Sequence, residues 1–596
     1  MNFSTSRTRT IAAAAVVAIA AIALYWGTLH HGFVYDDLVI VENNPSMREP
    51  ANALRLFSPD YFHISGERTF RPLNTLSYIV DAALWRGNAA GFHLTNVLLH
   101  AACAVLLFFL ILRLTQSHAA ALLGALLFAA HPLNTEAVCA VTFREDLLGL
   151  LFVIAGLLAY ARWRDAAQPG SVRGQQCLRL AVLAALAFLG LAGKESAVVL
   201  LPAIIAYDWL IFPGVNLEDR ALRMAPALGV VCAAFGAFFA LYFYLGQYSG
   251  GGAATYPGGS AAAALPVMAS AFMRYLYLFL APFRLCADYS QNYVLGWSLQ
   301  AVLGAALIVL LPAAAVAMRR VLPATAFGVF FFISGFAPVS NVLPFGAVFA
   351  ERYAYMPNAG LCIAFVALLL ERPRTAVSPV RSRGFYVLFI AALCAGFAYM
   401  TVNRTAVWRD GGALWRDTVA CCHDCARPHV NLGRVLLENN KPAQARKILE
   451  VARKLDAQNF QVWIALGRAY ADLGRTDQAI HAYESAIRLE PKVKYPYYNL
   501  ALVYEDHGQY YLAEMNLIKA IKLDPNYLDA RLALANVLFK KRLLSPPEIE
   551  LLQYNLAHIR DALPASDSRR IEAEENSHIL MQVLERGRET NPSVSQ

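Results

Sequence analysis

Roughly the first 400 residues are a succession of apolar runs, and the chain then becomes a polar array with a 34-residue beat marked by Leu432, Leu466, Leu500 and Leu534. Runs of about 20 apolar residues cross a bilayer as helices, and a backbone in lipid must satisfy its polar groups internally. The 34-residue period reads as tetratricopeptide repeats. Apolar residues make up 58% of the chain and charged residues 16%, which excludes an ordinary soluble globular protein. The net charge of +9 would suggest nucleic acid or acidic lipid in a soluble chain. Here the arginines sit in short loops between apolar runs, where they orient the chain in the membrane, and no nucleic-acid partner is expected.

Spans are expected near 9–27, 94–113, 118–133, 147–162, 178–193, 196–212, 222–245, 299–318, 322–338, 355–371 and 385–402. The stretch 264–283 is also apolar, but it lies between a Gly-rich segment over 249–260 and a polar Asp288-Tyr289 loop, and reads as a re-entrant or surface-lying helix. With the N-terminus in the cytoplasm, the inner loops hold Arg7, Arg9, Arg113, Arg162, Arg164, Arg173, Arg179, Arg220, Arg223, Arg319, Arg320, Arg372, Arg374, Arg381 and Arg383. The short outer loops hold only Arg144, Lys194, Arg284 and Arg352, the asymmetry expected of inside and outside. An odd number of crossings then leaves the repeats outside. Arg outnumbers Lys, with Lys194 the sole lysine before Lys441, and Ala is heavily used. This composition suggests a GC-rich bacterium, so the expected location is the bacterial inner membrane with the repeats in the periplasm. The first run alternatively reads as a signal peptide, with Ala21-Ile22-Ala23 as a small-x-small site.

Most cysteines stand singly in the spans as small buried apolar side chains. Cys421-Cys422-His423-Asp424-Cys425 is too crowded to wrap one tetrahedral zinc, and reads as a local disulfide in an oxidising compartment or an inert helix terminus. No metal site can be read and no cofactor is predicted, although a divalent cation is compatible with the acids present.

Within the array, Trp463, Leu466, Gly467 and Tyr470 on one helix face Ala479, Tyr483 and Ala486 on the next, with Pro491 closing the turn. Tyr497, Leu500, Ala501, Tyr504, Ala513, Ala520 and Pro525 repeat the pattern, and the fourth unit fades after Leu538. Such solenoids offer a groove for extended partners and need atypical end units. The expected division is a membrane domain over 1–404, with outer loops at 28–93 and 132–146, a linker over 405–428, repeats over 429–545, and a helical cap and polar tail over 546–596.

Ionisable residues that a bilayer would otherwise reject mark chemistry. They fall in four places, all at the outer face: Tyr35-Asp36-Asp37, in a loop that also holds Arg68, Arg71, His63 and His93; His131 through Asn134, Glu136, Arg144, Glu145 and Asp146; Lys194-Glu195; and Glu351-Arg352-Tyr353. Acids and cations converging at one depth suit a reaction on a lipid-linked phosphate, with cations holding the phosphate and a carboxylate as base. Adjacent Asp36 and Asp37 cannot both aim at one point. His93 and His100 lie about two helical turns apart on one face, which allows a shared polar site, and His131 is a similar candidate.

Gly32-Phe33-Val34-Tyr35-Asp36-Asp37, Phe70-Arg71-Pro72-Leu73, His93-Leu94-Thr95-Asn96 with His100, His131-Pro132-Leu133-Asn134-Thr135-Glu136-Ala137-Val138, Arg144-Glu145-Asp146-Leu147-Leu148, Gly193-Lys194-Glu195 and Ala350-Glu351-Arg352-Tyr353-Ala354-Tyr355-Met356-Pro357 follow one another in order. Together they resemble the transmembrane and tetratricopeptide repeat O-mannosyltransferases, membrane glycosyltransferases of the GT-C class. The resemblance implies an all-α fold, a GT-C-like bundle followed by an α-solenoid. It also implies transfer of mannose or another hexose from a polyprenyl-phosphate donor to a hydroxyl acceptor, a protein Ser/Thr or a glycan, with inversion. Carried onto this sequence, it makes Asp36 the base with Asp37 supporting, and Glu136 and Asp146 second-loop acids that position the acceptor or a cation. Arg71, Arg144, Lys194 and Arg352 become the phosphate ligands. Arg144-Glu145-Asp146 departs from the glycine-rich approach of animal members, and the repeats are few. Other readings are an oligosaccharide transferase or ligase, a non-catalytic repeat scaffold for envelope assembly, and a transporter, although the charges here gather at one face and not at mid-span.

Overall fold

The computed structural model describes residues 3–166, 172–212, 215–248, 255–289, 295–344, 348–371, 383–541, 544–563 and 567–590. Arg372, Arg374 and Arg381 of the expected inner loops, and the glycines over 249–254, lie outside the described residues. Every regular element described is helical, and the chain divides into two compact units, residues 1–422 and 423–596.

The first unit is a multi-pass membrane bundle. Eight helices are long and apolar enough to cross a bilayer: Arg7–His30, Ala89–Thr115, Arg173–Gly193, Leu217–Gly246, Ala261–Leu280, Leu299–Met318, Glu351–Leu370 and Gly384–Trp408. The expected span over 118–133 is broken, with His118–Ala129 and Pro132–Cys139 meeting at 51°. Pro132 lacks the N–H that would continue the helix, and the His131 ring accepts from the Leu133 N–H to cap the new turn (3.3 Å). Three other expected spans are less regular than the sequence suggested. Arg144–Ala166 opens on three charged residues, Leu200–Ile211 is short and preceded by a 3-10 turn at Glu195–Val199, and Pro323–Val339 is short.

Ala261–Leu280, expected as a re-entrant or surface-lying helix, is one of the eight helices long and apolar enough to cross. The Tyr256 hydroxyl just before it donates to Val342 O (3.2 Å), and Tyr275 near its far end donates to Ala350 O (3.0 Å). Both acceptors lie between Pro323–Val339 and Glu351–Leu370, so this helix packs beside that connection.

Close helix approach in the bundle rests on small residues, as expected where lipid supplies no hydrophobic drive. A Cβ on Gly328 would lie 2.4 Å from Ala364 N, and one on Gly360 2.4 Å from Phe332 N. Helices Pro323–Phe336 and Tyr355–Leu370 therefore touch backbone to backbone.

The segment expected as a linker over 405–428 instead carries the 3-10 turn Ala406–Trp408 and the helix Gly411–Cys421, and most of it belongs to the first unit. The cysteine cluster is disulfide-bonded, as one of the two readings had it: Cys422 and Cys425 both carry disulfides, while Cys421 bonds the distant Cys286 across 135 residues. Linear spacing gives no view of the tertiary neighbour that claims Cys421.

In the second unit, each half-repeat expected from the 34-residue beat is a helix: Ala426–Glu438 with Pro442–Leu455, Phe460–Asp472 with Thr476–Leu489, and Lys494–Asp506 with Tyr510–Leu523. Gly433 lets Leu449 approach and Gly467 lets Tyr483 approach, since a Cβ at either would lie 2.5–2.6 Å away. Where the consensus fades, Leu528–Lys540 still pairs with Pro546–Ala562, which starts on a Ser545–Glu548 capping box. Buried Arg531 ties the pair through Asn555 Oδ1 (2.7 Å).

Replacing Gly360 with Leu should destabilise the first unit by at least about 1–3 kcal/mol, because the clash is with backbone. Gly229→Ala, where nothing lies within 4 Å, should leave it unchanged or slightly stabilised. Thermal unfolding of the two variants in one detergent measures the contrast.

Candidate functional site

The site begins with a reversal in the loop after the first span. Tyr35 adopts a left-handed backbone (φ 56°), uncommon for a residue with a bulky side chain, and the turn sends the next two side chains in opposite directions. Asp37 points inward and is fully buried, while Asp36 is exposed. Four donors meet the Asp37 carboxylate: the N–H groups of Val34 (3.3 Å), Val141 (3.1 Å) and Thr142 (2.8 Å) and the Thr142 hydroxyl (2.8 Å). Asp37 thereby ties the first outer loop to the second, and burial, only partly opposed by these hydrogen bonds, raises its carboxyl to about 6.

A second group of charges lies at the ends of the neighbouring helices. Arg71, at the start of Pro72–Trp85, reaches Glu195 through Nε and Nη2 (3.0–3.2 Å) and Glu145 through Nη1. Glu145 also meets Lys194 Nζ (3.1 Å), which in turn meets Asp146 (2.6 Å). Lys194 is thus paired across the bundle and not with its neighbour Glu195. Burial opposes the charge on Arg71, but the carboxylates of Glu145 and Glu195 outweigh it and hold the guanidinium firmly protonated. Glu67 is itself pushed up to about 8 by burial, with Arg71 opposing and Glu145 and Glu195 adding to the rise.

Arg352 faces the same region from the start of the Glu351–Leu370 span. Its N–H and its Nη1 donate to the two oxygens of Glu136 (2.8 and 2.5 Å). Its guanidinium lies over the rings of Phe143 (4.0 Å) and Tyr353 (4.9 Å), Lys194 lies 5.4 Å from the Tyr353 ring, and Tyr35 packs edge-on against Phe143. These aromatic contacts join the Asp36 turn to the ion network. Five carboxyl groups (Glu67, Glu136, Glu145, Asp146, Glu195) here face three cations (Arg71, Lys194, Arg352), and Asp146 Oδ2 is buried without a hydrogen-bond partner among the described residues. Among the described residues, no group of three or more His, Cys, Asp or Glu has a metal-holding arrangement.

Several sequence candidates stand outside this constellation. Arg144 is fully buried, paired with Asp81 (2.5 Å) and donating to Asn96 Oδ1, Ser77 Oγ and Phe92 O. It anchors the first loop to the second span. The histidines are buried packing groups. His93 lies against Gly32 O (3.4 Å), His100 bridges Tyr355 and Ala129 O, and His131 stacks on Phe279 and meets its carbonyl oxygen. His93 and His100 do share a helix face, as their spacing predicts, but that face is filled by protein.

Glu195 and Glu351 stand in the charge clusters named in the sequence but received no role there, and Glu67 and Asp81, which sit in no recognisable pattern, were passed over. Glu351 is fully buried and accepts from the Tyr289 hydroxyl (2.6 Å) and the Cys286 N–H (2.5 Å). Arg274, on the helix Ala261–Leu280, rests over Tyr289 (4.4 Å) and Phe349 (5.3 Å) and has no carboxylate in ion-pair range among the described residues.

Two family models match the second unit, one described as TPR repeat over residues 467–508 and one as Tetratricopeptide repeat over 495–527. Among curated proteins, the chain is 26% identical to protein O-mannosyl-transferase F38B6.6 of Caenorhabditis elegans, covering 72% of this chain and 61% of that protein. It is also 26% identical to human protein O-mannosyl-transferase TMTC1, covering 77% of this chain and 57% of that one. The chain is a relative of the protein O-mannosyl-transferases. Identity to the Drosophila melanogaster relative Tmtc2 reaches 33%, over 37% of this chain and 24% of that one. The chain spans about 60% of the length of the first two relatives. A solved structure described as YrrB, a TPR protein with an unusual peptide-binding site, is 19% identical and covers 30% of this chain and 93% of its own, with a TM-score of 0.24.

The raised carboxyl of Asp37 fixes the sign of a pH effect. The fold favours its protonated form, so its contribution to stability is complete below about pH 4 and is lost as pH rises through about 6. The stability advantage of wild type over Asp37→Asn should shrink by roughly 2–3 kcal/mol between pH 4 and pH 7. Unfolding midpoints measured across that range check this, and an advantage that grows with pH would contradict it.

Proposed function

We propose that this protein is a membrane glycosyltransferase that moves mannose or another hexose from a polyprenyl phosphate to a protein hydroxyl on the outer face of the membrane, with inversion. The observation that carries this reading is the exposed Asp36, held by its turn beside a buried ion network at one end of an apolar bundle, in a relative of protein O-mannosyl-transferases.

Asp36 takes the proton from the acceptor hydroxyl as its oxygen attacks the anomeric carbon. The bond from that carbon to the lipid phosphate oxygen breaks, and the electron pair leaves with the phosphate. The leaving group gains a negative charge in a site already rich in carboxylates, so charge balance governs the chemistry. Glu67, held at about 8 by burial, carries a proton near neutral pH and removes one negative charge. Lys194, Arg352 and Arg71 meet the phosphate, and Arg274 adds a cation that no carboxylate neutralises among the described residues. Glu136 and Asp146 act by holding Arg352 and Lys194 in place. Asp37 supports Asp36 through the loop it locks, and Arg144, His93, His100 and His131 frame the site.

Sidedness rests on two supports. The arginine-rich loops assign the opposite face to the cytoplasm, and the Cys286–Cys421 disulfide beside Glu351 calls for an oxidising compartment such as a periplasm. The repeats recruit the protein acceptor.

Purified protein incubated with radiolabelled polyprenyl-phosphate sugars and a membrane extract tests the reading. Wild type should transfer label to protein, and Asp36→Asn should lose about 10²–10⁴-fold in rate while keeping the wild-type unfolding midpoint. Equal transfer by both removes Asp36 from the chemistry. Release of label only as a preassembled oligosaccharide points to a ligase, and absence of transfer from any donor leaves a scaffold.

A further inference from the structure

The helix Gly411–Cys421 meets the motifs singled out in the sequence only at its last residue, Cys421, yet it touches the site at several points. Trp415, 5% exposed, stacks on Tyr35 with ring centroids 5.4 Å apart and planes at 28°. Tyr35 is the residue whose left-handed backbone throws Asp36 and Asp37 apart. Just before the helix, Arg409 O accepts from the Gly32 N–H (3.0 Å), so one short segment grips the Asp36 loop at both its entry and its turn. The segment is itself secured three times. The Asp410 side chain caps the helix by accepting from the Ala413 N–H (2.7 Å), Asp417 pairs with Arg404 (2.6 Å), and Cys421 is disulfide-bonded to Cys286. Cys286 N–H and Tyr289 in turn hold Glu351, the neighbour of Arg352.

An aromatic residue in the left-handed region persists only when its surroundings over-determine it. The surroundings here are Trp415 on one side and the edge contact with Phe143 on the other. We propose that Trp415 is a positioning residue: through its stack on Tyr35, and backed by the Cys286–Cys421 disulfide, it sets the aim of Asp36 relative to Arg352. This rests on the assignment of Asp36 as the base. The same disulfide ties the aim of the base to the loop behind Glu351, so reduction should disturb both together.

The test uses the full-length protein in nanodiscs and includes a readout independent of transfer. In a background where exposed Cys177 and Cys232 are replaced by Ser, Asp36→Cys reports the accessibility of that position to a membrane-impermeant maleimide. Adding Trp415→Ala should change the labelling rate at least fivefold, and Trp415→Phe, which keeps a stacking ring, should restore it. In the protein retaining Asp36, Trp415→Ala should lower kcat about 10–100-fold and leave the KM for the lipid donor within about threefold. Trp415→Phe should recover most of kcat. Mild reduction of folded wild type, or Cys286→Ser with Cys421→Ser, should act in the same direction and supplies the test should Trp415→Ala fail to fold. Unchanged labelling on loss of both Trp415 and the disulfide overturns the positioning role whatever the transfer rates. Changed labelling with unchanged transfer overturns the assignment of Asp36 as base.

Discussion

A chain of alternating charges, Glu195, Arg71, Glu145, Lys194 and Asp146, is almost entirely enclosed by the bundle, and the outer end of the first unit depends on it. Removing charges from water is costly, and deleting one partner of such a group leaves another buried and uncompensated, typically at about 3–5 kcal/mol. The chain joins three segments far apart in sequence: the first outer loop through Arg71, the start of Arg144–Ala166 through Glu145 and Asp146, and the break before Glu195–Val199 through Lys194. Apolar packing alone would allow these helix ends to slide. Charge pairing fixes them, which explains why short helices and broken turns are tolerated there.

Around that network the structure separates two tasks that the sequence presents as one. Asp37 and Arg144 are buried locks held by several partners each. In the proposed reaction, Asp36 meets the acceptor hydroxyl and Arg352 and Arg274 meet the phosphate, backed by the enclosed Lys194. Consecutive side chains diverge, and beside the left-handed turn at Tyr35 this leaves Asp37 buried and Asp36 exposed. The Trp415 stack, the Phe143 edge and the Gly32–Arg409 hydrogen bond converge on that turn. Glycosyl transfer of the proposed kind needs little more from the protein than this: a base at one edge, cations for the leaving phosphate at another, and walls that do not move.

Much of this was legible in the sequence. The 34-residue beat places each helix of the repeats, since Leu432, Leu466, Leu500 and Leu534 each sit inside the first helix of a pair. Most apolar runs became helices, and the outer-loop motifs drew attention to Asp36, Lys194, Glu136 and Arg352. For Arg144 and the three histidines the sequence could not show the protein partners they have, because a polar residue near a membrane face has the same sequence signature whether it binds a ligand or its own fold. Only the partners distinguish the two, and Asp81, Asn96, Tyr355 and Phe279 lie at separations that no local pattern reveals. Trp415 and Cys286 were invisible for the same reason. Their role is purely tertiary, and the segment around Trp415 carries the composition of a linker.

The most direct test of the account is a structure of the full-length protein bound to a non-hydrolysable polyprenyl-phosphate sugar analogue. The proposed reaction requires the phosphate within hydrogen-bond range of two or more of Lys194, Arg352, Arg71 and Arg274, with the anomeric carbon on the side open to Asp36 and room for an acceptor oxygen about 3–3.5 Å away. A phosphate held at the opposite end of the bundle, or an anomeric carbon facing away from Asp36, would contradict it.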